Sequence, residues 1–453
     1  MERVLPKTLD YTDVLPLAVE SKARRRTFFP NNGATFNSGG ANIIRIDLSA
    51  DALLDTQHSY LRFTFTQDPA AGGATTTGID FAGGHSFIRR LRVEQSGTIL
   101  EDIQSYNRLL GAIILPCQSG EEHKACRTLT EAIRGDGARN GALQAGAVAN
   151  TAADNATTLR NAGFINNPDD QIANAGTYTF CIPLTSGLLN CDKLVPLMLM
   201  SAPLTIEIEL ASSTQALCQA GGDTAYSISD VRYVANLVEV GQDVAQQLRM
   251  LQEVSGGVLT LAGQTYRHFQ GAVAGNDTTI NVPARVKSMK SMFFASQGAG
   301  ADAAATYDVG GGGHMNLNEY QIKIGSVVYP PTPVRCGNMA VGSTSEPLME
   351  LEKAWGNVGS RAGLGNNTQS VNFYSVESAR GATNTIYRFA PFGLDMEAFQ
   401  RVAIESGVNT ADRSLPISLI LNNNNATATT LDIYVLADAL FYINQDGSMS
   451  VSV

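Results

Sequence analysis

Short runs in which apolar and polar residues alternate one for one recur along the whole chain, and a period of two marks a β-strand with one buried face. Ile44, Ile46 and Leu48 alternate with Arg45 and Asp47, and Leu61, Phe63 and Phe65 with Arg62 and Thr64. Leu204, Ile206, Ile208 and Leu210 alternate in the same way with Thr205, Glu207 and Glu209. Ile88–Glu94, Gln95-Ser96-Gly97 and Thr98-Ile99-Leu100 read as a hairpin. Tyr178, Phe180, Ile182 and Leu184 add a strand, and residues 228–240 close the first half. In the second half strands are expected at 258–271, 278–283, 285–295, 319–329, 370–377, 384–390, 414–421 and 429–444.

Helical spacing is rare by comparison. Tyr106, Leu109, Leu110, Ile113 and Ile114 predict a short amphipathic helix ending at Pro116. Val244, Leu248 and Leu251 predict a second, and Leu348, Leu351 and Trp355 a third. A chain of 453 residues is too long for one ordinary core, and the order of elements repeats after residue 255 although the sequence does not. The expected fold is therefore all-β: two tandem jelly-roll β-sandwiches with a few short helices and long loops. The boundaries are an N-terminal arm at 1–40, a first jelly roll at 41–240, a linker helix at 241–255 and a second jelly roll at 256–453.

Residues 118–176, rich in Ala, Asn, Asp and Gly, lack any sustained period. They are expected to run over the outer surface and to contribute to contacts between subunits.

Charge narrows the function. With 32 basic and 42 acidic residues the net charge is −10, which argues against coating nucleic acid over the whole surface. One dense basic cluster, Lys22, Arg24, Arg25 and Arg26, is the exception, and it suits contact with phosphates or anionic headgroups.

The chemical motifs are weak. Gly84-His85-Ser86-Phe87-Ile88 lacks the last glycine of a G-x-S-x-G nucleophile elbow and leads into a strand. Cys117, Glu121, Glu122, His123 and Cys126 carry donor atoms that suit zinc, at a spacing that fits no familiar finger. The histidines at 58, 85, 123, 268 and 314 form no metal-binding pair, and Gly310–Gly313 is not followed by the Lys-Ser/Thr of a phosphate loop. No catalytic residue, cofactor or metal is expected, and the chain is read as a non-enzyme.

The cysteines at 117, 126, 181, 191, 218 and 336 are expected to be free thiols. Met1–Glu20 lacks the apolar core of a signal peptide, so the sequons at Asn155, Asn276, Asn366 and Asn425 are expected to be unglycosylated.

Several segments, in order, resemble the double jelly-roll major capsid proteins of tailless double-stranded DNA viruses, especially those of polinton-like viruses and virophages. They begin with Asn42-Ile43-Ile44-Arg45-Ile46, Leu54-Asp55 and Ser59-Tyr60-Leu61-Arg62-Phe63. Ile182-Pro183-Leu184, Ser186-Gly187-Leu188-Leu189, Leu194-Val195-Pro196-Leu197 and Leu204-Thr205-Ile206-Glu207-Ile208 follow. Ile280–Met289, Ile322-Lys323-Ile324-Gly325, Tyr329-Pro330, Phe392-Gly393-Leu394-Asp395 and Leu431-Asp432-Ile433-Tyr434-Val435 continue the match to Ala437-Asp438 and Asp446-Gly447.

The resemblance implies a homotrimer whose sandwiches form a pseudo-hexameric capsomer of an icosahedral virion shell, made and assembled inside the host cell. It also implies neighbouring capsomers, penton and minor capsid proteins as partners. The N-terminal arm, with Lys22, Arg24, Arg25 and Arg26, would face an internal membrane or the genome. Two other readings compete: a β-sandwich receptor- or glycan-binding surface protein, and a double-sandwich hydrolase or lyase. The first calls for an exposed aromatic cluster and the second for paired carboxylates or a metal in a cleft.

Overall fold

The computed structural model describes residues 21–68, 77–79, 82–117, 128–131, 177–219, 225–273, 275–297, 309, 315, 317–336, 345–356, 391–399, 406–423 and 429–453. Strand candidates at 370–377 and 384–390 lie outside them, as do the glycines at 310–313 and most of the segment 118–176.

The strands of the first half are β1 (Ser21–Phe28), β2 (Thr35–Asn37), β3 (Ile43–Leu48), β4 (Leu53–Asp68), β5 (Thr77–Ile79) and β6 (Ile88–Gln95). They continue with β7 (Thr98–Gln104), β8 (Thr177–Ile182), β9 (Val195–Pro196), β10 (Leu204–Leu210), β11 (Leu217–Gln219) and β12 (Ala225–Val240). The second half holds β13 (Val258–Val273), β14 (Asp277–Asn281), β15 (Met289–Ser296), β16 (Leu317–Ile324) and β17 (Val327–Arg335). It ends with β18 (Phe392–Asp395), β19 (Ile417–Asn423), β20 (Thr429–Asn444) and β21 (Met449–Ser452).

Four sheets carry the architecture, in the orders β1-β12-β4-β8 and β3-β10-β6-β7, then β13-β20-β15-β18 and β14-β19-β16-β17. Each half thus places its first strand beside its last long one, β1 beside β12 and β13 beside β20, and in the facing sheet an early strand beside a late one, β3 beside β10 and β14 beside β19. That is the jelly-roll winding, made twice.

Within the span expected as an N-terminal arm, Ser21–Phe28 is a strand of the first sandwich, paired with β12 from Ser21↔Val240 to Phe28↔Tyr233. β1 holds the place in its sheet that β13 holds in the second. Its sequence gave no alternating signal because its first six residues are all exposed.

The alternation fixes which faces are buried. Ile44, Ile46, Leu48, Leu204, Ile206 and Ile208 are buried, while the paired Arg45 and Glu207 form an ion pair on the outer face. In the first core Phe87 lies 5.0 Å from Phe65 and 5.1 Å from Tyr226. The second core stacks Phe294 on Phe392 at 5.1 Å, with Tyr320 from the facing sheet edge-on at 5.2 Å.

The helices depart from expectation in instructive ways. Tyr106–Cys117 is helical, but with an α turn, a π turn and a 3-10 turn in succession, and every residue is buried. An amphipathic helix was expected; both faces are covered because the second half packs against the side the first leaves open. In the linker helix Gln242–Val254 it is Gln252 that is buried, its Nε2 donating to the Ile443 carbonyl at 2.9 Å. Leu251, expected on the packed face, is 53% exposed. No helix among the described residues is long and apolar enough to cross a membrane.

Candidate functional site

The residues with the most unusual environments meet where the two sandwiches touch. β7 of the first runs against β13 and β21 of the second. Buried charge is expensive unless paired, so charged groups in such a seam must be matched atom by atom.

Arg108, 2% exposed, reaches from the first half into the second. Its Nε donates to Asp432 Oδ2 at 3.1 Å, and its terminal nitrogens donate to the carbonyls of Val309 at 2.8 Å and Ser296 at 3.2 Å. Asp432, fully buried on β20, also accepts from Gln297 Nε2 at 2.8 Å and pairs with His268 Nε2 at 3.0 Å. Burial pushes the Asp432 carboxyl upward, but the His268 hydrogen bond and the Arg108 charge outweigh it and hold the group below the usual carboxylate range.

A second carboxylate, Glu101 on β7, accepts from Thr265 Oγ1 of β13 at 2.7 Å, from the Gly187 amide at 2.8 Å and from the Ser186 hydroxyl. No cation faces it in these contacts, and burial pushes its carboxyl above the usual range against the pull of the hydrogen bonds. A carboxyl raised on folding holds its proton more tightly in the folded state. Its stabilising contribution is therefore present below the unfolded value and lost as pH rises through the folded one. Glu101→Gln is expected to flatten the fall in stability above the usual carboxylate range, as measured by denaturant titration at several pH values. An unchanged slope would contradict it.

The backbones also meet directly. A Cβ built on Gly187 would lie 2.6 Å from the Gln264 carbonyl oxygen, and one on Gly263 would lie 2.8 Å from the Gly187 carbonyl carbon. Gln95 adds a clamp, its Nε2 donating to the Gly447 carbonyl at 3.0 Å and its Oε1 accepting from the Met449 amide at 2.6 Å. Tyr434 Oη donates to the Ser105 carbonyl at 2.9 Å. The two sandwiches thus share one buried polar lattice.

The basic cluster sits elsewhere, on the outer strand β1. Arg24 pairs with Glu239 at 3.2 Å, Arg25 donates to Tyr60 Oη at 3.3 Å, and Arg26 lies over the Phe28 ring at 4.9 Å. Lys22, opposite Glu239, is exposed. The register sets Arg24 opposite Leu237 and Arg26 opposite Ala235, both buried, and directly opposed residues share a face of the sheet. Arginines on the inward-facing side of an outer strand discourage a further strand from adding there.

Among the described residues, the motifs weighed for chemistry are not assembled into a reaction site. Gly83–Phe87 is a buried 3-10 turn. His85 Nε2 contacts Glu131 at 3.0 Å and Nδ1 contacts Tyr106 Oη at 3.4 Å, all inside the first core. Ser86 Oγ, fully buried, has no hydrogen-bond partner among the described residues. Glu131, expected on the outer surface with the rest of 118–176, is the buried partner of that histidine, because its short helix Thr128–Glu131 turns inward.

Of the zinc donors, Cys117 is buried with its thiol pushed up to about 12 by burial, and Glu121, Glu122, His123 and Cys126 lie outside the described residues. Among the described residues no group of His, Cys, Asp and Glu could hold a metal ion. Cys117, Cys181, Cys191 and Cys336 are free thiols, and Asn276 is exposed in the turn before β14. Trp355 stacks on Phe293 at 4.4 Å and is partly buried against the core.

No family model matches the sequence, and no curated protein matches it. Solved structures do match the fold. The Faustovirus major capsid protein superposes with a TM-score of 0.57 at 8% identity, over 97% of this chain and 92% of its own. The mavirus major capsid protein gives 0.53 at 10% identity over 100% and 96%, and a chain of the PBCV-1 virus capsid gives 0.53 at 11% over 98% and 99%. Near-complete cover in both directions shows that the double jelly-roll fold is shared from end to end.

Proposed function

We propose that this chain, which has the double jelly-roll fold, is a major capsid protein: a non-catalytic subunit that trimerises into pseudo-hexameric capsomers and builds an icosahedral virion shell. The observation that carries the reading is the doubled winding, matched over nearly the whole length by the Faustovirus and mavirus major capsid proteins. The seam supports it. A capsomer built from paired sandwiches needs the two halves of each chain held at a fixed angle, and a buried lattice of directional hydrogen bonds does this better than apolar contact alone. Large apolar side chains left uncovered, among them Phe29 and Phe399 at 61% and 67% exposure, offer surface for neighbouring copies, penton proteins and minor capsid proteins.

The purified chain is expected to sediment as a stable trimer at micromolar concentration and physiological salt, and negative-stain images should show hexagonal capsomers. A monomer in sedimentation equilibrium would count against the reading.

Lys22, Arg24, Arg25 and Arg26 are proposed to contact an internal membrane or the genome from the inner face of the shell. Replacing all four with Gln is expected to leave the trimer intact, because β1 is joined to β12 through its backbone and these side chains are exposed. Particle yield, or retention of the inner layer, should fall several-fold. Unchanged yield and retention would remove the role.

A further inference from the structure

Lys290 is 6% exposed and lies between two carboxylates that are equally withdrawn from water. Its Nζ is 2.9 Å from Glu397 Oε1 and 3.3 Å from Asp438 Oδ1, whose side chains are 8% and 6% exposed. The three converge by fold, not by sequence. Lys290 sits at an irregularity of the β15–β20 ladder, between Met289, opposite Ala437, and Ser291, opposite Leu436. Glu397 follows β18 and is drawn in where the Met396 amide donates to the Lys290 carbonyl at 2.7 Å.

The carboxylates are held differently. Asp438 Oδ2 accepts from Ser288 Oγ at 2.8 Å, and that hydroxyl is fixed by accepting from the Gly407 amide at 3.0 Å. The Asp438 carboxyl is thus polarised at the oxygen away from the amine. On Glu397, the oxygen that faces Nζ is the one that accepts from Ser406 Oγ at 2.6 Å, which keeps negative charge beside the amine. One carboxyl is arranged as an electrophile and the other as a proton acceptor, with a nucleophilic nitrogen between them.

We propose that Lys290 and Asp438 condense spontaneously into an intramolecular isopeptide bond, with Glu397 carrying the protons. The Nζ–Cγ bond forms and the Cγ–Oδ1 bond breaks. Two protons leave Nζ and end on Oδ1 as water, Glu397 beginning and ending as a carboxylate. Oδ2, held by Ser288, becomes the amide oxygen. No oxidant or co-reactant is needed, and one ammonium and one carboxylate give one neutral amide. The driving force is the loss of two charges from a site that solvates them poorly, together with release of water from a buried position. The bond would tie β15 to β20 covalently and close a long loop, which restricts the unfolded chain as a disulfide does, without depending on redox conditions. The inference stands apart from the capsid reading.

Intact-mass spectrometry under denaturing conditions tests it. The protein is expected about 18 Da lighter than its sequence, with a proteolytic fragment in which the Lys290 and Asp438 peptides are joined. Glu397→Gln should fold with an unchanged circular dichroism spectrum yet keep its full mass, and Lys290→Arg should lose the joined fragment. Full mass in the unsubstituted protein after prolonged incubation, or a missing water traced to any other pair, overturns the proposal. Should either variant fail to fold, the peptide map of the unsubstituted protein decides alone.

Discussion

Arg108→Ala is expected to cost about 3–5 kcal/mol of stability, the range for removing one partner of a buried ion pair. The guanidinium is the only Arg or Lys group paired with Asp432 among the described residues, and truncation would leave that carboxylate fully buried against His268 and two glutamines. It would also remove the Arg108 donors from the carbonyls of Val309 and Ser296.

The sign with pH follows from the lowered carboxyl of Asp432. Its contribution is present above the ordinary carboxylate value and lost as pH falls through the depressed folded one. Without Arg108 that depression shrinks, so acid loosening of the seam should begin at a higher pH. Chemical denaturation across pH would show both effects. Arg108→Met combined with Asp432→Asn should recover most of the loss, since the penalty lies in the unmatched charge. If the double variant is as unstable as the single one, the guanidinium acts by packing instead.

The strands with one wet face were legible because burial writes itself into sequence at a period of two. Ile43–Leu48 and Leu204–Leu210 fall where the alternation puts them. Strand β1 was not legible as a strand: its early side chains are exposed on both faces, so nothing but the ladder with β12 defines it.

The seam was hidden for a different reason. Arg108 and Asp432 are partners 324 residues apart, and no local pattern encodes such a pair. A trace was present nonetheless. Arg108 interrupts a run from Tyr106 to Ile114 that is otherwise mainly apolar, and Asp432 and Asp438 interrupt the apolar stretch from Leu431 to Ile443. A charge inside a segment too apolar to be surface must be paired after folding, which marks both segments as places where something else arrives. The helix at Tyr106 differs from its expected amphipathic form for the same reason, since Arg108, which an amphipathic helix would turn to water, reaches into the other sandwich instead.

Gly263→Val is expected to separate the two halves without unfolding either. At this point the β13 backbone meets that of Gly187, and a Cβ on Gly263 would fall on the Gly187 carbonyl group, backbone on both sides with no flexible side chain to yield. Overpacking in a well-packed core costs about 1–3 kcal/mol when neighbours can shift, and here the neighbour is itself held by the Glu101 carboxylate through the Gly187 amide. Relief therefore has to come from displacing β13 relative to the 186–188 turn, which breaks the Thr265–Glu101 bond in the same movement. Each sandwich keeps its own aromatic core, because the Phe65–Phe87–Tyr226 and Phe294–Phe392–Tyr320 clusters lie away from that contact. Hydrogen exchange should then rise at β7 and β13 while the amides of β4 and β15 stay protected. In sedimentation the variant should lose the trimer proposed for the parent, since subunits whose halves no longer keep a fixed angle cannot close a three-fold ring. Unfolding of the whole chain, seen as exchange rising everywhere at once, would mean that the seam is part of one indivisible core. A variant that still trimerises with a protected seam would show that the glycine contact is not what sets the angle between the sandwiches.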